Sequence, residues 1–210
     1  MPHEAQRIKT RYMAVWQIPN MEKMTFCMSD IVNRRILDGP FDAKEARLLA
    51  RQLGLTMGEL NPFLDTYVAH LEQEIRADSI RQDTIMYRGE ARPAKYAHSL
   101  VVGSIHSVKS FSSFSALPST ALGFTRSSNG SEPRQATLFR VLMHRGAPCA
   151  YIKNAMTVRD PKACDVIFDE FEYLVAPSMS YKVIDVSRLS LGYKDVLVVS
   201  MISLATPLRA

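Results

Sequence analysis

The run Phe168–Pro177, FDEFEYLVAP, decides how this chain is read. Aromatic and aliphatic residues at Phe171, Tyr173, Leu174 and Val175 predict a short strand over Glu170–Ala176, and Pro177 closes it. In an extended strand, residues two apart share a face about 6.6–7 Å from each other. Glu170 and Glu172 then project to one side, while Phe171 and Tyr173 pack on the other. Two neighbouring carboxylates raise at least one pKa, which lets one of them act as a base. A solvent-facing edge strand would show the same alternation. Against that reading, Asp169 adjoins the pair, and acidic residues are sparse in the other candidate strands.

Working outward, the second half of the chain is a series of short β-like runs broken by turn residues. Candidates are 84–88, 100–106, 136–144, 149–153, 170–176, 181–187 and 196–203. Arg145-Gly146-Ala147-Pro148 reads as a hairpin turn, Asn129-Gly130 as another turn, and one short helix falls over 119–126. The first half has helical texture from about Met21 to Asp78. Asp42 with Glu45 forms a capping-box pattern, and Gly54 is placed to end that helix. Asn61-Pro62 predicts the next N-cap and first turn, followed by an apolar stripe of Leu64, Tyr67, Val68, Leu71 and Ile75. Helices first and strands later predict an α+β fold: a helical lobe over residues 1–80, then a mostly antiparallel β core over 81–210. There is no GxGxxG and no P-loop.

With 210 residues and 47% hydrophobic content, the chain can bury a sizeable core as one compact unit. The formal charge of +5 suits an anionic small molecule, an acidic partner or weak nucleic-acid attraction, and selects none. Cys27, Cys149 and Cys164 are odd in number and far apart, which predicts reduced thiols and no four-ligand zinc site. The five histidines show no ligand spacing, so no metal is expected. No stretch approaches the ~20 apolar residues that span a bilayer. The N-terminal residues lack an apolar signal region, so the expectation is a cytoplasmic protein, in its producer or in an infected or invaded host cell.

Two further pieces carry chemistry. Tyr87-Arg88-Gly89, within MYRGE, ends a predicted strand with a guanidinium whose planar fork can grip a phosphate. Gly89 beside it lets backbone approach a flat ligand closely, while Glu90 is a nearby counter-charge for a merely structural arginine. Ser113-Phe114-Ser115, within SFSSFSAL, alternates so that Phe114 is core and both serines face the other way. A serine hydroxyl can donate to a carboxylate and accept from a ribose hydroxyl.

In this order the three pieces resemble the R-S-E signature of the arginine-specific mono-ADP-ribosyltransferases, over about 84–203. Ala121-x-x-Phe124 resembles that family's helix with a nicotinamide-stacking aromatic, and 170–188 resembles its Glu-x-Glu strand, turn and following strand. The layout is most similar to small bacteriophage Mod-type transferases or compact bacterial effectors. The resemblance implies a β-sandwich core with a helical N-terminal lobe, NAD as substrate, host proteins modified on arginine, and nucleic-acid-associated proteins among the possible targets. It also implies roles: Arg88 holds a phosphate or ribose of NAD, and Gly89 contacts the carboxamide. Ser113, with Ser115 beside it, positions Glu172 and the nicotinamide ribose, Phe124 stacks on nicotinamide, Glu172 stabilises the oxocarbenium-like centre, and Glu170 deprotonates the acceptor guanidinium. Two differences stand out. Phe114 replaces the family's usual threonine, and 154–165, in the place of its target-recognition loop, has no aromatic residue. The alternatives are an NAD glycohydrolase, a transferase acting on nucleic acid, or a non-catalytic basic binding module.

Overall fold

A computed structural model describes residues 28–125, 134–152 and 171–204. Of these, residues up to 77 form one compact unit and residues from 78 onward another.

The first unit holds helices α1 (Met28–Asp38), α2 (Ala43–Leu53) and α3 (Met57–Ala77). Asp42 caps α2 by accepting from the backbone N–H groups of Lys44 and Glu45, at 2.8 and 2.9 Å. The Glu45 carboxylate does not complete a reciprocal box; it takes both contacts from Arg34 of α1 at 3.0 Å. Gly54 ends α2 in the left-handed region, at φ 69°, where a side chain would be strained. Helix α3 corrects the expected start at Asn61-Pro62. It begins five residues earlier, because Glu59 accepts from both the backbone N–H and the hydroxyl of Thr56. Pro62 therefore lies inside the helix, where its missing N–H removes one bond to residue 58. Leu64, Tyr67, Leu71 and Ile75 are buried as the spacing predicts, and Val68 is half-buried.

The second unit contains β1 (Thr84–Pro93), α4 (Ala94–Ala97), β2 (Ile105–Val108), β3 (Ser112–Ser115), α5 (Pro118–Gly123), β4 (Arg134–Met143), β5 (Cys149–Ile152), β6 (Glu172–Val175), β7 (Met179–Ser190) and β8 (Asp195–Ser203). These strands form one eight-stranded sheet in the order β2-β7-β8-β4-β1-β3-β6-β5. Every pairing is antiparallel except β4 with β8. The fold class is α+β, as the sequence predicts. Phe114 on β3 approaches Tyr181 on β7 at 6.2 Å between ring centres, although three strands separate them in the order. The sheet therefore closes over itself around a core that includes Met86, Phe114, Phe139, Val175, Val183 and Met201.

Several strands depart from expectation. β1 runs on past Arg88 to Pro93, so Arg88 is in mid-strand rather than near its end, and β7 extends over Met179–Ser190. The run 100–106 is not one strand. A turn over Val101–Ser104, with Gly103 at φ 90°, delays pairing until Ile105 and leaves Val101 and Val102 exposed. The acidic strand begins at Glu172 rather than Glu170, because Phe171 has a left-handed backbone at φ 46°. Two-residue alternation cannot be carried back through that bend, so Phe171 is not packed beside Tyr173 but is 38% exposed. Glu170, the turn at Asn129-Gly130, the loop 154–165, Cys27 and Cys164 lie outside the described residues. Cys149 is buried, and burial pushes its thiol up to about 12, which keeps it unreactive. No helix among the described residues is long and apolar enough to cross a membrane.

Candidate active site

Strand pairing brings the three sequence motifs together. Tyr87 on β1 lies opposite Ser115 on β3, and Ser115 lies opposite Glu172 on β6. Directly opposed residues share a face with Cβ atoms about 4.5–5.5 Å apart, so the Ser115 and Glu172 side chains emerge side by side. Ser113 sits two residues along β3, diagonal to Glu172 and on the same face. Glu172 is 7% exposed. Arg88, one residue along β1 and on the other face, ties the two strands together: its NH1 donates to the Ser113 carbonyl at 2.9 Å. The residues that sequence separates by up to 84 positions thus occupy three neighbouring strands. Phe114 is buried in the core, opposite in sense to the serines, as its alternation predicts.

Pairing beside them is unequal. β1 pairs with β4 along all ten residues, from Thr84 to Pro93, but meets β3 only at Tyr87. From Arg88 onward the two halves of the sheet part. Met86, Arg88, Glu90 and Arg92 alternate onto one face of β1, the face of core residue Met86. Past Met86 that face therefore changes from apolar to charged. Such a change is costly within a closed core and is accommodated where a cleft admits solvent or ligand.

Sequence reading missed most of this wall. Glu90 accepts from Arg88 Nε at 2.6 Å and also from Arg92 Nε and NH2. The Arg92 guanidinium lies over the Tyr96 ring at 4.7 Å. Tyr96 meets His106 through its hydroxyl at 3.3 Å, and His106 stacks on Phe139 with ring centres 5.7 Å apart. Glu90 is visible in the sequence as a counter-charge to Arg88. Arg92 is visible only as a further step of that alternation, while Tyr96 and His106 carry no local signal, since only the turn at Val101–Ser104 brings β2 back to the wall.

Burial alone would raise the Glu90 pKa, but Arg88 and Arg92 outweigh it and hold the carboxyl below its ordinary 4.5. The unfolded chain then takes up a proton that the folded chain refuses. This stabilisation is complete above about pH 4.5 and is lost as pH falls toward the folded value. Burial also holds His106 below its ordinary 6.5, so its contribution is likewise lost as pH falls below that point. Denaturant midpoints measured between pH 7 and 3.5 are expected to fall in both windows. Glu90→Gln should flatten the lower one, and an unaltered pH slope there would remove Glu90 from the account.

The other residues singled out in the sequence have definite places. Ser115 Oγ accepts from Leu117 N–H at 3.0 Å and so ties β3 to α5. Phe124 is the C-cap of α5 and is 57% exposed. The short helix spans less than the predicted 119–126, because it tightens after Gly123 into i→i+3 bonds made by the N–H groups of Phe124 and Thr125. Gly89 is occupied on its side-chain side by α5: a Cβ there would lie 1.7 Å from the Ala121 carbonyl oxygen. What it can offer a ligand is backbone. Among the described residues no cluster of His, Cys, Asp or Glu is placed to hold a metal ion.

The fold is shared with solved proteins. Vis toxin, an ADP-ribosyltransferase from Vibrio splendidus, superposes with a TM-score of 0.55 at 16% identity, over 99% of this chain and 88% of that one. The fold is that of the ADP-ribosyltransferases. Plx2a, an ADP-ribosyltransferase toxin from Paenibacillus larvae, matches with a TM-score of 0.60 at 11% identity, over 94% of this chain and 86% of its own. BECa, an ADP-ribosylating toxin of C. perfringens solved with NADH, matches with a TM-score of 0.54 at 15% identity, over 96% of this chain and 48% of its own. Vis has also been solved in complex with agmatine. No protein-family model matches the chain, and no curated protein matches it in sequence.

Proposed function

We propose that this protein is a mono-ADP-ribosyltransferase that moves ADP-ribose from NAD to arginine side chains of target proteins and releases nicotinamide. The observation that carries the reading is that Arg88, Ser113 and Glu172 stand on three adjacent strands, with Arg88 bonded to the Ser113 carbonyl, in a fold shared with ADP-ribosyltransferases.

Each residue then has a physical task. Arg88 holds a phosphate of NAD, and Phe124 supplies an accessible ring for nicotinamide. When the C1′–N bond breaks, its electron pair leaves with neutral nicotinamide and C1′ gains positive charge. Glu172, steadied by Ser113, lies on the face where that charge develops, and a preorganised carboxylate there is worth several kcal/mol. Glu170 takes the proton of the acceptor guanidinium, whose nitrogen closes the new bond to C1′. Arginine as acceptor is supported by the Glu-x-Glu pattern and by the agmatine complex of Vis, since agmatine presents the same guanidinium group. NAD as donor is supported by the NADH complex of BECa.

A groove of about 900 Å³ beside α5, carrying Arg134, Arg188 and Lys194, favours a second reading in which a polyanion is held and a nucleic acid is the acceptor. One assay separates the two. With NAD labelled in its adenylate half and a bacterial lysate, label should enter material destroyed by protease and resistant to nuclease, and mass spectrometry should place it on arginine. Nuclease-sensitive label would select the second reading. No label and no nicotinamide release would overturn both.

A further inference from the structure

We propose that the groove beside α5 is a docking site for an acidic segment of the acceptor protein, separate from the place where Glu172 does its chemistry. The inference rests on the reading above and names the part of the acceptor that is gripped away from the modified arginine.

The hollow follows from the sequence. Ala91 on β1 stands directly opposite Ala136 on β4, so two of the smallest side chains meet there. Further along the same surface Leu138 and Val196 fill the space under Ala121. Helix α5 covers β1 at Gly89 and stops at Gly123. What the helix leaves open is a groove of about 900 Å³, with Ala91, Leu122 and Ala136 in its apolar floor.

Charge selects the occupant. The groove carries three cations, Arg134, Arg188 and Lys194, against the single carboxylate of Asp195. Among the described residues, Arg134 and Lys194 donate to neutral oxygens, the Ala91 carbonyl at 3.2 Å and the Thr125 hydroxyl at 2.6 Å. Those contacts orient the two cations without cancelling them. An apolar floor under a cationic rim suits a peptide that presents both aliphatic and acidic side chains. A nucleic-acid strand places a charge at every unit, and Asp195 interrupts such a track.

The turn between β7 and β8 adds an anchor. It is closed by the Leu191 N–H donating to the Lys194 carbonyl at 3.0 Å, with Gly192 at φ 83°. Tyr193 stands on this turn, 81% exposed, with Lys194 Nζ 5.6 Å from its ring centre. A stiff aromatic beside arginines is the composition that the centres of protein interfaces favour.

Position ties the groove to the reaction. Tyr87, Ser115 and Glu172 stand side by side across three strands. Ala91 is four residues from Tyr87 on the same face of β1, about 13 Å along the strand. An extended stretch of roughly eight residues, passing around α5, therefore joins a segment held in the groove to an arginine at Glu172.

The test uses two synthetic peptides of equal length. Each has one arginine and a spacer of roughly eight residues, followed by a run of glutamates in one and of serines in the other; agmatine is the acceptor too small to reach the groove. Wild type should show a KM for the acidic peptide at least about tenfold below that for the serine peptide, a difference that added salt diminishes. Arg134→Glu combined with Arg188→Glu should abolish the difference while leaving agmatine labelling and nicotinamide release unchanged. Tyr193→Ala should weaken the acidic peptide about three- to tenfold. If the double reversal does not fold, Arg134→Gln with Arg188→Gln decides by the same comparison. Equal KM values for the two peptides in wild type, or a difference that survives in the double variant, would overturn the proposal. So would an oligothymidine that displaces the acidic peptide and itself takes up label, which would give the groove to nucleic acid. Wild type that labels agmatine without preferring the acidic peptide removes the docking site alone. Wild type that releases no nicotinamide and labels no acceptor brings down the transferase reading, and fluorescence anisotropy of the two peptides then decides the groove by itself, equal affinities overturning it.

Discussion

Glu172→Gln is expected to slow nicotinamide release from NAD by about a hundred- to a thousandfold while leaving the Kd for NAD within a few-fold of wild type. The magnitude follows from what is removed: one preorganised group facing charge that exists only in the transition state, a loss of about 2.7–4 kcal/mol. Ground-state NAD carries its positive charge on the nicotinamide ring, so a carboxylate aimed at C1′ contributes less to binding than to the barrier. Glutamine keeps the shape of a residue that is almost fully buried at the start of β6, between Ser115 and Ile152. The strand should therefore form unchanged, and matching thermal melts would show that it does. Nicotinamide release by the variant at the wild-type rate would take Glu172 out of the chemistry. A parallel collapse of NAD affinity would recast it as a binding residue.

How far this was legible in the sequence depends on whether the signal was local. The Asp42 cap, the Gly54 stop and the stripe from Leu64 to Ile75 are settled by neighbours within a turn of helix, and the structure agrees with each. So is the burial of Phe114, opposite in sense to Ser113 and Ser115. The start of α3 is less legible, because Asn61-Pro62 is a strong N-cap pattern, whereas Thr56 and Glu59 signal only as a pair. Leu100, Val101 and Val102 are apolar and read as strand, yet Gly103 turns the backbone at φ 90° before any pairing begins and leaves both valines exposed. The bend at Phe171 has no sequence signal at all, since a bulky residue rarely adopts a positive φ. Backbone held in that state clusters where the surrounding structure over-determines it, and here it adjoins Glu172 and its carbonyl accepts from the Ala116 N–H at 3.1 Å.

The wall formed by Arg88, Glu90, Arg92, Tyr96 and His106 was hidden for another reason. Alternation along β1 does place the first three on one face, and that much was available from spacing. Whether the face was core, solvent or cleft depended on where β3 stops pairing, which is a tertiary fact. The same holds for the parallel pairing of β4 and β8, which joins strands more than fifty residues apart.

Gly89→Ala is expected to lower the melting temperature by about 6–12 °C, the equivalent of roughly 3 kcal/mol for a chain of this size. The added Cβ would stand 1.7 Å from the Ala121 carbonyl oxygen, 2.7 Å from its carbon and 3.0 Å from Thr125 Cγ2. The first two are backbone atoms of α5, so no rotamer change can relieve them. The helix must lift off β1 or the strand must bend away from it. Lifting α5 uncovers Ala121, Leu138 and Val196, the small cluster on which that helix sits. Bending β1 disturbs Arg88 and the Tyr87–Ser115 contact at the mouth of the cleft. Either escape also shifts Phe124, one residue past the helix end, so KM for NAD should rise along with the loss of stability. Gly123→Ala is the matched control: nothing lies within 4 Å of a Cβ there, and its melt should stay within about 2 °C of wild type. A Gly89→Ala protein that melts with the control would mean that α5 is not seated against β1 at Ala121, and the cleft would have to be rebuilt without that helix as its outer support.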